Sequence, residues 1–501
     1  MAPSPRLTTC SAIVLTAALL LAAQAKAQTE IQTELQTETQ PEAQVQVQVQ
    51  SLAAPDLFSP PAAETGLSAD LWKDASPGVV REALPKLASK PLSPAAAALA
   101  RRVLATGANA PAGIGDDSEL GAMRALTLIA LGEAKGADAM LDRVPGVASS
   151  GPLSMAAAEA ALITGADDKA CKIGEALSVD RGAPYWLRLR AFCQALAGQQ
   201  DASHLTFGLA VSQTKDADYA RLMGALLSGT PAGAANLGNG VNYALSRKLG
   251  LDVSSAAALA TASPALKAMV KPVDAAAALA APPAQVLAAL RAAKGLTAFT
   301  DAAKAWLPAI AAQAQAGAPL EDPVLFARAA LAAGDPATAQ AIRGKLTGDT
   351  IPGAAALDLA LLDATLAAAE GKKDSQILDA LIERGVQGGA QGGAKSPAQA
   401  AAVILAAFGA AIGPEARGSF ALFDPGKSAV PAGRLIVLDD AAAGGRQGEA
   451  ALLALSIAAD AGPAGPGAVD RARLVRALLK AGLEADARAF AVEGLLALQI
   501  K

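Results

Sequence analysis

Apolar and polar positions along most of this chain repeat with the period of a helix. Ala/Leu runs are cut by a glycine and a short polar turn, and the glycines Gly132, Gly165, Gly198 and Gly229 fall 33, 33 and 31 residues apart. Three positions before them lie Ile129, Leu162, Ala195 and Leu226, and seven before lie Ala125, Ala158, Ala191 and Leu222. Those offsets place side chains on one helix face. Beyond the glycines come small residues, Ala137, Ala170 and Ala234 five positions on and Ala202 four positions on. Each unit therefore predicts a helical hairpin: glycine closes the first helix in the left-handed conformation, and alanine at the crossing lets the second approach closely. The signature returns at Gly334 and Gly482, with a degenerate copy ending at Gly371. The expected fold is all-α, with hairpins stacked as an α-solenoid.

Composition sharpens this expectation. Hydrophobic residues make up 52% of the 501 but aromatics only 3%. Alanine, the best helix former, dominates the apolar count, while the β-branched and aromatic residues that suit pleated sheets are scarce. A large β-sandwich is excluded on that ground.

The N-terminus has its own pattern. Arg6 precedes an apolar stretch from Ala12 to Ala23, and Ala25-Lys26-Ala27 offers small residues where a signal peptidase reads. Residues 1–27 are expected to be a signal peptide cleaved before Gln28, and the stretch is short of the roughly 20 residues of a membrane span. From Gln28 to Gln50 the composition turns to Gln, Thr and Glu, ending in alternating Val-Gln, and Pro55, Pro60 and Pro61 follow. Residues 28–65 read as a disordered tether. The rest divides into an N-terminal helical repeat region (66–255), a middle Ala-rich helical region (256–390), a Gly-rich linker (391–396) and a C-terminal helical region (397–501). Loss of Arg6 and Lys26 with the signal leaves 40 basic against 46 acidic residues. A mildly acidic chain has no electrostatic claim on nucleic acid or on an anionic membrane, so neither is expected as a partner, and no membrane span remains after cleavage.

Candidate chemistry is thin. A soft-metal site needs three or four imidazole or thiolate ligands, and the chain offers only Cys10, Cys171, Cys193 and His204. No metal, cofactor or catalytic residue is expected, and His204 reads as a residue on or near a helix surface. In an oxidising envelope Cys171 and Cys193, lying in successive units, are expected to pair as a disulfide. Gly389–Ser396 falls short of a phosphate-binding loop because Ala394 replaces the glycine before the lysine. Arg434–Asp440 imitates the strand whose terminal carboxylate holds magnesium, but the plainer reading of a buried helix or short strand is the expectation. Tyr185 and Trp186, with Arg188 and Arg190 at the start of one helix, form the aromatic and guanidinium set with which a solenoid face binds an extended peptide, or else fill a pocket.

The hairpin units resemble tetratricopeptide-type repeats, in which small residues mark helix crossings. The segments Gly66–Trp72, Leu92-Ser93-Pro94 and Leu99–Leu104 resemble the start of the mature region in uncharacterised, exported Ala-rich proteins of proteobacteria, some carrying an antifreeze label. Ice-binding alanine helices repeat threonine at a fixed interval on one flat face, whereas Thr here is sparse and irregular. The expected function is non-enzymatic: an exported, periplasmic helical-repeat module that binds or scaffolds an envelope protein or peptide. The alternatives are an envelope enzyme using carboxylates in an inter-helical cleft, or a mechanical spacer. Thiol labelling of the exported chain is expected to fail until reductant is added, and ready labelling without reductant rules out the Cys171–Cys193 bridge.

Overall fold

A computed structural model of the chain describes residues 56–269, 275–316, 319–346, 355–389 and 396–500. The expected signal peptide, most of the expected tether and all but Ser396 of the Gly-rich linker lie outside the described residues. Among the described residues there are 25 α-helices and no strand. The first group is α1 (Pro77–Ser89), α2 (Pro94–Ala105), α3 (Ser118–Ala130), α4 (Ala134–Leu141), α5 (Gly151–Thr164), α6 (Asp167–Ala176), α7 (Pro184–Leu196), α8 (Gln200–Gln213), α9 (Ala217–Ser228) and α10 (Gly240–Lys248). The second is α11 (Ala256–Ala260), α12 (Pro264–Met269), α13 (Ala275–Leu279), α14 (Pro283–Ala292), α15 (Leu296–Gln315), α16 (Pro323–Ala333), α17 (Pro336–Gly344), α18 (Ala356–Ala369) and α19 (Ser375–Gly389). The third is α20 (Pro397–Phe408), α21 (Arg417–Phe420), α22 (Ala432–Ala443), α23 (Gln447–Ala461), α24 (Ala468–Lys480) and α25 (Glu484–Ala497). No helix among the described residues is long and apolar enough to cross a membrane.

The hairpin glycines do what their spacing predicts. Gly132, Gly165, Gly198, Gly229, Gly334 and Gly482 all have positive φ, between 68° and 90°. A side chain there would clash with the following carbonyl, which is why glycine ends these helices. Ala125, Ala158, Ala191 and Leu222 are all fully buried, as are Ala137 and Ala170 at the crossings. Two crossings differ from expectation. Ala202 is exposed and Ser203 takes the inward position, its hydroxyl donating to the Ala191 carbonyl at 2.7 Å. In the fourth unit Ala234 is exposed, and an irregular stretch containing Pro231 and Gly233 delays α10 until Gly240. A further unit of the same kind ends at Gly445, which has φ 68°, with Leu438, Ala442 and Ala450 buried at the matching offsets.

Order also begins earlier than Gly66. Leu57 and Phe58 are buried, and residues 57–62 hydrogen-bond to the ends of α2 and the loop after it, as in Ala62 N–H to Ala105 O at 2.8 Å. The anchor is Arg124 of α3, a fully buried guanidinium that donates to the carbonyls of Leu104, Leu57, Pro60 and Thr106 at 2.8 to 3.1 Å. It also lies over the Phe58 ring. Burial pulls its pKa down to about 10, against the pull of Asp56. Asp56 in turn accepts from the Phe58, Ser59 and Ala110 N–H groups.

Among the described residues three hydrophobic clusters follow, and only one is local in sequence. It joins α5 to α10, while a second joins α14 to α18 and takes in Leu496 of α25. The largest runs from Leu57 to Leu495 and combines the first helices with the last. Here α1 packs on α23, and α2 on both α23 and α25. An open solenoid keeps its first and last hairpins apart, so this closure departs from that expectation, and the region boundaries read from composition cut across a shared core. Steric fit explains part of it: a Cβ on Gly448 would sit 2.4 Å from the Leu71 carbonyl and 2.6 Å from the Trp72 ring. Charge explains the rest. Glu493 of α25 pairs with Arg471 of α24 at 2.5 Å and accepts the Ala95 N–H in the first turn of α2 at 2.6 Å. Glu449 of α23 accepts the N–H of Ser76, the residue before α1, at 2.9 Å.

Glu493→Ala leaves Arg471 buried without a counter-charge and is expected to cost about 3–5 kcal/mol in urea unfolding. Combining Glu493→Leu with Arg471→Met is expected to recover most of that loss, and a double variant as unstable as the single one would contradict the electrostatic account.

Candidate functional site

The residues that sequence reading singles out converge on α7. Pro184 opens that helix, where a missing N–H costs nothing. Cys193 near its end is bonded to Cys171 of α6, 22 positions earlier in sequence, with Cα atoms 5.6 Å apart. In the chain-entropy account a closed loop of that size is worth roughly 3 kcal/mol. Trp186 is 5% exposed and meets Tyr185 edge to face at 4.9 Å.

Two hollows flank Trp186. The smaller, about 190 Å³, is lined by the disulfide, Glu175, Arg181 and Arg190. Its guanidiniums are committed to carbonyls: Arg181 donates to Glu175 and Leu177 O, each at 3.1 Å, and Arg190 to Arg181 O at 2.9 Å. The other, about 500 Å³ and open, lies against Tyr185, Met155 and Asp180. Arg188 points elsewhere. It pairs with Asp216 at 3.0 Å, donates to Thr214 and lies over the Tyr219 ring at 5.6 Å. The four residues expected to bind a partner thus do not form one surface: Trp186 and Arg188 are packing groups, while Tyr185 and Arg190 line opposite hollows.

Beneath Tyr185 lies a buried acid. Glu159 of α5 accepts the Gly240 N–H at 2.8 Å through Oε2, so its carboxylate sits at the N-terminus of α10. Its Oε1 and the neighbouring Tyr185 hydroxyl are enclosed without an aligned hydrogen bond. Burial raises the Glu159 carboxyl above its ordinary value, opposed by the Gly240 N–H and by Tyr185. Burial also raises the Tyr185 phenol well above the usual range, with the Glu159 charge adding to it. Both groups are therefore held toward their neutral forms, a structural arrangement rather than a poised nucleophile.

His204 is exposed on α8, and among the described residues no three His, Cys, Asp or Glu side chains are grouped to hold a metal. Arg434–Asp440 lies in helix α22, not a strand; Asp439 faces Arg473 at 3.9 Å, Asp440 pairs with Arg446, and Ile436 is 68% exposed. What sequence reading missed is on α8, which packs chiefly on α7. Leu205 and Leu209, one turn apart, are 70% and 50% exposed. Their i, i+4 spacing was the available signal. Compared with known proteins, the chain matches no family model, and no curated protein or solved structure shows significant similarity to it.

Because the fold raises the Glu159 carboxyl, it favours the protonated form. Folding is penalised once pH rises past the ordinary value of 4.5, and the penalty grows until the folded group ionises. Glu159→Gln is expected to gain stability relative to the parent above about pH 4.5 and to lose that advantage in more acid solution. A urea-midpoint difference that does not change with pH would contradict this.

Proposed function

We propose that this chain is a non-enzymatic, exported helical-repeat protein that binds or scaffolds an envelope protein or peptide. The observation that carries the reading is the leucine pair of α8. A helix on a monomeric protein rarely leaves two large aliphatic side chains uncovered one turn apart, and such a stripe suits an apolar partner helix or extended peptide. The hairpins α3 to α8, stacked through buried small residues, are the tetratricopeptide-like part of this reading and act as the rigid support. The disulfide favours an oxidising compartment and so an exported chain. A carboxylate enzyme is disfavoured because the enclosed acids sit on protein donors: Glu493 on Arg471, Glu449 on the Ser76 N–H, Asp486 on Arg102, and Glu159 on the Gly240 N–H through one of its two oxygens.

Photo-crosslinkers at positions 205 and 209 are expected to trap a discrete envelope partner in cells, while one at exposed Lys135 of α4 is not. Leu205→Glu with Leu209→Glu is expected to abolish the adduct and to change stability by no more than about 0.5 kcal/mol, as for other exposed sites. Equal labelling at all three positions, or an adduct that survives the double change, would overturn the reading.

A further inference from the structure

The most informative cavity is remote from α7. Between α2, α15, the turn from α16 to α17 and α25 the fold leaves a trough of about 350 Å³, within the roughly 300–1,000 Å³ of small-molecule sites. Its walls are aliphatic, with Leu296, Leu331, Val492 and Leu496 the larger members. Three charged groups break that character, Lys304, Arg488 and Glu493, beside the hydroxyl of Thr300.

Their charges do not cancel. Glu493 is already committed to Arg471 and to the Ala95 N–H. Among the described residues no acid stands within ion-pair distance of Lys304 or Arg488, and Arg488 Nε is buried with no acceptor. Asp301, one turn before Lys304, feels its charge without pairing with it. The Arg488 guanidinium lies over Gly371, where a Cβ would stand 2.9 Å from Nη2, so the bare backbone makes room for it. The other arginines whose Nε is buried without an acceptor, Arg188, Arg247 and Arg328, each have a carboxylate partner. Arg488 does not.

We propose that this trough binds a small amphipathic monocarboxylate, its aliphatic tail along the leucine and valine wall and its carboxylate on Arg488 and Lys304. A carboxylate matches the fork of a guanidinium and makes charge-assisted hydrogen bonds that a hydroxyl of the same size does not. The tail gains by leaving water, in proportion to the apolar area it covers. A cation with the same tail meets like charge. The site shares no residue with the α8 leucine pair, and either reading stands without the other.

Isothermal titration of the full chain with decanoate, decanol and decyltrimethylammonium tests the assignment. Decanoate is expected to bind at a single saturable site, decanol at least about tenfold more weakly, and the cation not at all. Arg488→Gln is expected to weaken decanoate about tenfold and leave decanol unchanged. Lys304→Gln, at an exposed position, is expected to weaken it by a smaller factor, and Ala98→Trp on the exposed rim to block both tails. The last two keep the test decisive should Arg488→Gln fail to fold. Absence of saturable decanoate binding, equal affinity for decanoate and decanol, or affinity unchanged in the foldable variants would overturn the proposal.

Discussion

The seating of carboxylates at the ends of distant helices is the constraint on which the arrangement of this molecule depends. Glu493 bridges Arg471 and the first turn of α2, Glu449 reaches the residue before α1, and Glu159 meets the start of α10. Each places a carboxyl oxygen where the unpaired N–H groups of a helix start need an acceptor. Alanine faces allow close approach but discriminate little between one neighbour and another, since a methyl group buries little area. A carboxylate removed from water tolerates few positions, because without its partner it stays buried and uncompensated. Small side chains set how near the helices come, and these acids set which helices meet.

That division explains how much was legible in advance. The helical class, the glycine stops and the buried positions seven residues before them follow from local rules, and they hold at Gly132, Gly165, Gly198 and Gly229. Ser203 and Ala234 show where a periodic reading slips: one residue of drift exchanges an inward side chain for an outward one. The packing of α1 on α23 left no local trace, since Glu449 and Ser76 lie far apart in the chain and neither is unusual in its own neighbourhood. The ordering of residues 56–65 was equally hidden. Prolines there suggested a spacer, while the cation that organises them, Arg124, sits within an otherwise unremarkable helix.

The region around α7 shows the same limit for function. Tyr185, Trp186, Arg188 and Arg190 are adjacent in sequence, but a helix distributes neighbours around its circumference. Trp186 fills space beside the disulfide, Arg188 turns to Asp216, and the uncovered apolar surface passes to the next helix. The trough lined by Arg488 draws on α2, α15, the α16–α17 turn and α25, so no window along the chain contains it.

The union of the first and last helices bears on how the chain reaches its final form. Emerging from the ribosome with its amino end leading, it presents α1 and α2 long before α23 and α25 exist to cover them. Their leucines and alanines wait in water for most of synthesis, and contacts of such long sequence separation form slowly. The α5–α10 cluster, complete within its own stretch and clasped by the cystine, has no such delay. A chain that stops short of α23 would therefore strip its opening helices of their cover while leaving the cystine-clasped hairpins entire.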